Sequence, residues 1–97
     1  MDRRAELHGV GFVWDAEKAD RNLQQHGVSF GEAIEAFFDP FLKVIEASRR
    51  NETRDAVLGM DMRLRLLFVV HVEIEDDSFR IISARRATQE EWRLYED

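Results

Sequence analysis

Twelve of the 97 residues are arginine and only two, Lys18 and Lys43, are lysine. Guanidinium forks match phosphate and carboxylate in a bidentate way, whereas an ammonium acts as a point charge. Two groups of arginine stand on apolar runs. Arg63 and Arg65 open the run to Glu75, and Arg80, Arg85 and Arg86 lie on the run Phe79 to Arg86, with Ser83 between them. If the two runs pair antiparallel about an Asp76-Asp77-Ser78 turn, Arg63 or Arg65 comes beside Arg85 or Arg86. Gathered cations repel unless an anion or carboxylates sit among them. The group therefore reads either as a phosphate clamp on an RNA backbone or as ion pairs with Glu52, Asp55 or Glu91. Parity adds a condition: Arg80 and Arg85 are an odd number apart, so a regular strand sends them to opposite faces. Both reach one site only if a bulge or the strand end turns Arg85, so one of the two is expected to be structural.

The histidines offer less. His26 precedes Gly27 at a predicted helix end, where the dipole favours a cation and where an imidazole is also a candidate acid or base. His71 falls in mid-strand, as a half-buried, hydrogen-bonded side chain would. His8, His26 and His71 are far apart and show no metal-ligand spacing, so no metal or cofactor is expected. With no cysteine there is no thiolate nucleophile, disulfide or zinc ribbon. Phosphate-loop, dinucleotide, zinc-protease and nucleophile-elbow motifs are absent.

The elements that must position these groups can be read from pattern. Val10 to Trp14 is a short strand. Asp15 caps a helix to His26, with Ala16, Ala19 and Leu23 on one stripe, and Gly27 stops it. Ser29 and Glu32 form a capping box, with Val28 and Ala33 as staple, and the helix ends at Asp39-Pro40. Strands follow over 41–46, 53–58, 63–75 and 79–86, with turns at 49–52, 59–61 and 76–78. In the third of these strands the even positions Leu64 to Ile74 are all apolar, so one face is core throughout. Thr88 and Glu91 form a second capping box, with Ala87 and Trp92 as staple, for a helix to about Tyr95. The order predicts an α+β fold: an antiparallel meander, two helices before it and one after, with helices covering one face of the sheet.

Composition sets the outer limits. The length fits one domain over 1–97, with a polar, frayed start at 1–8. No apolar run approaches the ~18 residues of a membrane span. Met1 to Glu6 has no apolar stretch behind its charges, so no secretory signal is expected and a cytoplasmic location is the default. The net charge of −6 argues against free, non-specific nucleic-acid binding. Its distribution is uneven: residues 1–47 and 87–97 are acidic, and 48–86 carry a small positive excess.

Several blocks together resemble the BrnT family of bacterial type II toxins. They are Phe12-Val13-Trp14-Asp15 with Lys18 and Asn22, His26-Gly27-Val28-Ser29-Phe30 with Glu32-Ala33, and Phe38-Asp39-Pro40. Glu52-Thr53-Arg54, Gly59, Arg65-Leu66-Leu67, Val69-Val70, Arg80-Ile81-Ile82-Ser83-Ala84-Arg85-Arg86-Ala87, Glu91 and Tyr95-Glu96 complete them. The sequence departs from the family pattern at Gln25, where Lys is common, and at Trp92, where Arg is common. Both departures remove positive charge.

The resemblance implies a RelE-like fold and a metal-independent endoribonuclease that arrests growth. It also implies neutralisation by a BrnA-like antitoxin with a ribbon-helix-helix domain, and contact with operator DNA only through that antitoxin. Metal-free cleavage uses the RNA's own 2′-hydroxyl. A base takes its proton, cations offset charge on the phosphorane oxygens, and an acid protonates the leaving 5′ oxygen. The catalytic candidates are His26, Glu52, Arg54, Arg65, Arg80 and Arg85, with Arg65, Arg80 and Arg85 as the clamp and His26 or Glu52 as base or acid. Lys18, Asn22, Arg63 and Arg86 are expected to hold RNA. The alternative is a binding module of little activity that serves as antitoxin partner and co-repressor. An acidic surface suits a partner that carries basic DNA-binding segments.

Overall fold

The structure is a computed structural model and describes residues 1–75 and 77–97. Its elements are β1 (Asp2–Leu7), β2 (Val10–Asp15), α1 (Ala16–His26) and α2 (Phe30–Ala33), which runs into a 3-10 helix (Ile34–Phe38). After these come β3 (Lys43–Glu46), β4 (Asp55–Met60), β5 (Leu66–Ile74), β6 (Ser78–Arg86) and α3 (Gln89–Glu96). The fold is α+β, as the pattern predicts.

The sheet differs from the expected one in kind. Its six strands run in the order β1-β2-β6-β5-β4-β3. Strands β3 to β6 form the antiparallel meander. Strand β2, however, lies parallel to β6 through Phe12↔Phe79 and Val13↔Arg80, so the sheet is mixed. The start expected to be frayed is strand β1, paired along its whole length with β2. His8 and Gly9 both take positive φ, 51° and 81°, the left-handed pair that suits a two-residue hairpin.

Helices cover both faces of the sheet rather than one. Val57, Leu67, Val69, Ile81 and Ala84 point to one side, where they pack with Val28, Phe30, Ala33, Ile34 and Ala36 in a single core. Their strand neighbours Ala56, Leu58 and Leu66 are just as buried but lie outside that core, on the opposite side. There α3 crosses β4. Asp39 ties the crossing: its Oδ2 accepts from the Met60 N–H (2.8 Å) and the Tyr95 hydroxyl (2.5 Å), and its Oδ1 accepts from the Phe41 N–H.

Both predicted capping boxes are present, at Ser29/Glu32 and Thr88/Glu91, and Asp15 caps α1. The second helix tightens to 3-10 form where its backbone meets the sheet. A Cβ on Gly59 would stand 2.5 Å from the Ala36 carbonyl oxygen, so glycine alone permits that approach. The long strand starts at Leu66 rather than Arg63. Residues 61–65 wrap around the Asp61 carboxylate, which accepts from the N–H groups of Arg63 and Arg65. In the expected 76–78 turn, Asp76 lies outside the described residues, Asp77 has φ 55° and Ser78 already belongs to β6.

Candidate functional site

Register decides where the arginines of β6 go. Phe68 faces Arg85, Val70 faces Ser83, and Val72 faces Arg80, while the partner of His71 is Ile81. Ile82 is therefore the extra residue of a bulge between Arg80 and Arg85. The bulge absorbs the odd spacing, and Arg80, Ser83 and Arg85 share the face opposite the main core. The β3–β4 hairpin brings its own residues to that face. Ala47 bonds to Arg54, Arg49 bridges Glu52, and both pairs lie in phase with Ile45↔Ala56.

Together these strands make a hollow of about 380 Å³ whose walls include Arg49, Arg54, Phe68, Ser83 and Arg85. A second hollow, of about 460 Å³, shares Arg49 and Arg54 with it and is also lined by Arg50, Asn51 and Glu52. Arg85 lies over the Phe68 ring at 4.4 Å, a cation–π contact that fixes its plane. Its two terminal nitrogens reach the Glu91 carboxylate at 2.8 and 3.0 Å. Burial pushes the Glu91 carboxyl up, but the Arg85 guanidinium and the Thr88 N–H outweigh it and hold the group below its ordinary value. Arg54 pairs with the Glu52 carboxylate, and its Nε is buried with no hydrogen-bond partner. Arg49 forms no ion pair among the described residues. Three guanidiniums stand against two carboxylates, so the rim keeps a positive excess.

Of the residues expected at the site, the structure brings together Glu52, Arg54 and Arg85. Arg65 is elsewhere, on the side of the main core. Its Nε donates to Asp61 Oδ2 (2.8 Å), its terminal nitrogens reach Glu32 (3.1 Å) and the Gly27 carbonyl (3.3 Å), and it is 12% exposed. That is a tether joining the β4–β5 turn to α2 and the end of α1, and it leaves no open fork for a phosphate. Arg63 is exposed and reaches Glu32 at 3.3 Å. His26 ends α1 in solvent and lines neither hollow. Arg80 shares the face of Arg85 but stands at the other end of β6, where it forks onto both oxygens of Asp2 (3.0 and 3.3 Å). Arg86 faces Leu67, on the core side, at the exposed end of the strand.

Asn22 departs furthest from expectation. It is 6% exposed and has no surface to offer RNA. Its Nδ2 donates to the carbonyls of Val28 (3.0 Å) and Ala84 (2.8 Å), and its Oδ1 accepts from the Ala84 N–H (3.1 Å). Strand β2 has already turned away at this level of β6, so the carboxamide stands where a neighbouring strand would. Lys18, on the same helix, is exposed, and its backbone N–H serves the Asp15 cap.

His71 is buried, its Nδ1 is 3.1 Å from the Val69 carbonyl oxygen, and its ring meets Phe37 and Phe79 edge-on. Burial pushes its pKa down, so the imidazole stays neutral and structural. Among the described residues no three histidine, aspartate or glutamate side chains converge as metal donors.

Two residues of the hollow, Arg49 and Phe68, were not expected there. The turn reading hides Arg49. The signal that finds it is the two-residue loop Arg50-Asn51, which sets Arg49, Glu52 and Arg54 on one face of the hairpin.

A family model described as the ribonuclease toxin BrnT of type II toxin–antitoxin systems matches residues 14–91. The 1.1 Å crystal structure of the Brucella abortus ribonuclease toxin BrnT superposes with a TM-score of 0.61 at 23% identity, over 78% of this chain and 94% of that one. At that identity the likeness is one of fold. No curated protein matches the chain.

Proposed function

Because the chain belongs to the BrnT family, the ribonuclease toxins of type II toxin–antitoxin systems, we propose that it cuts RNA at the arginine-rimmed hollow between the β3–β4 hairpin and β6. The observation that carries this reading is the convergence of Arg49, Arg54 and Arg85 with Glu52 on one open face, in a chain that is otherwise acidic. The fold is read as RelE-like, and the reaction as metal-independent. A phosphate of the RNA backbone sits among the guanidiniums. Glu52, beside Arg54, takes the proton of the 2′-hydroxyl, whose oxygen attacks the adjacent phosphorus. The bond from phosphorus to the 5′ oxygen breaks, leaving a 2′,3′-cyclic phosphate. Arg54 and Arg85 offset charge on the phosphorane oxygens. The hollow is open, and the leaving 5′ oxygen takes its proton from water.

The partner is an antitoxin, read here as a BrnA-like ribbon-helix-helix protein that carries the complex to operator DNA. Its location is read as the cytoplasm, where such a substrate and partner would be met. A second reading, antitoxin partner and co-repressor with little cleavage, is favoured by one observation: Arg54 and Arg85 are already paired with Glu52 and Glu91. The purified protein, incubated with RNA at low salt in a chelator, separates the two. Cleavage leaving cyclic phosphate ends, and lost on Arg54→Ala, supports the first. Intact RNA rejects it in favour of the second, and cleavage only with added metal rejects the metal-free chemistry.

A further inference from the structure

We infer that β1 is a self-pairing edge, through which two copies of the chain join antiparallel about a two-fold axis at Ala5. The two sheets then run on as one. This goes beyond the ribonuclease reading and does not depend on it. Strand β1 also lies outside residues 14–91, the part of the chain that the family model matches.

The phase of the hairpin shows which backbone groups are free. The Ala16 N–H donates to the Met1 carbonyl (2.8 Å), and the two-residue turn closes on Leu7↔Val10. Odd-numbered residues of β1 therefore bond to β2, and the N–H and C=O groups of Asp2, Arg4 and Glu6 point out from the open edge. Such an edge is a template for another strand. A second copy pairing on it must bring even residues opposite even residues, so the two-fold axis passes through one residue of the strand.

Charge then selects the register. An axis at Asp2, Arg3, Arg4 or Glu6 sets two like charges face to face, which is unfavourable. An axis at Leu7 leaves Leu7 alone of the strand in overlap. An axis at Ala5 sets Arg4 opposite Glu6 of the second copy and Glu6 opposite its Arg4, both as hydrogen-bonded pairs. Neither Arg4 nor Glu6 has an ion-pair partner within the chain among the described residues, and both are exposed. Charges on an edge strand commonly keep other strands away. Here their order repels every well-overlapped register except one.

Sedimentation of the purified protein tests the pairing. The wild type is expected to dimerise. Arg4→Glu and Glu6→Arg, each alone, raise the dissociation constant about ten-fold or more, and the two together restore it. Circular dichroism checks that each variant is folded. Ala5→Cys tests the register directly, because the chain has no other cysteine. On mild oxidation it should form a disulfide-linked dimer much faster than Arg3→Cys, whose two copies would be four residues out of line. A protein that stays monomeric up to about 1 mM, a swap that fails to restore association, or equal cross-linking by the two cysteine variants would overturn the proposal.

Discussion

Arg80 and Arg85 project from the same face of β6 although five positions separate them, because Ile82 is accommodated as a bulge. Shared direction does not give them a shared task. Arg80 closes a surface ion pair with Asp2 at one end of the strand, while Arg85 stands at the hollow at the other end, braced by Phe68 and Glu91.

Arg85→Ala is therefore expected to lower RNA cleavage by about two orders of magnitude, the loss typical when a charge-stabilising donor is removed. Arg80→Ala should leave cleavage near wild type and cost under about 1 kcal/mol of stability, as exposed ion pairs do. Initial cleavage rates and urea unfolding of both variants decide this. Equal losses of activity would put the site elsewhere.

Asn22→Ala strips partners from the buried N–H and C=O of Ala84 and from the Val28 carbonyl. A loss of about 2–4 kcal/mol is expected, the cost of leaving such groups unbonded. Asn22→Asp keeps the acceptor and loses both donors, so it should not rescue stability. A urea midpoint shift equivalent to under about 1 kcal/mol would contradict the stapling role.

The pair Tyr95–Asp39 should shape the pH profile of stability. Burial and the Asp39 carboxylate push the Tyr95 hydroxyl up to about 12. Between about pH 10, where an unfolded tyrosine ionises, and about 12, the folded state holds a proton that the unfolded state has lost. Stability is whole below that window and falls as pH rises through it. Tyr95→Phe should flatten this alkaline slope. At the acid end, burial pushes the Asp39 carboxyl up, but the Tyr95 hydroxyl and the N–H groups of Met60 and Phe41 outweigh it and hold the carboxyl below its ordinary value. Stability is lost as pH falls through that lowered value, and Tyr95→Phe should weaken this dependence too. Urea unfolding at pH 7, 10 and 11.5 tests the alkaline limb, and an unchanged slope in the variant would count against it.

Gly59→Ala places a methyl 2.5 Å from the Ala36 carbonyl oxygen. Backbone on both sides leaves little room to yield, so a cost of about 1–3 kcal/mol is expected. A melting temperature equal to wild type would mean that the 3-10 helix slides.

What the sequence disclosed follows from which signals are local. Caps at Asp15, Ser29 and Thr88, and the alternation of Leu66 to Ile74, depend on neighbours within a few residues, and the α+β layout follows from them. Strand β1 carries little signal, because Ala5 and Leu7 are its only apolar residues and its turn is His8-Gly9. The site was legible in part. Arg54 and Arg85 line the hollow and Glu52 lines the one beside it, but Arg65 is held elsewhere by Asp61 and Glu32, a convergence that nothing local in the sequence shows. The bulge at Ile82 was legible only as a condition, since it depends on strand pairing far along the chain.

The carboxamide of Asn22 has one more consequence. It bonds both backbone groups of Ala84, and so a residue of α1 completes the ladder of the sheet's interior strand. Helix and strand cannot come apart in sequence: fraying of α1 uncovers β6, and both should exchange their amide hydrogens as one cooperative unit.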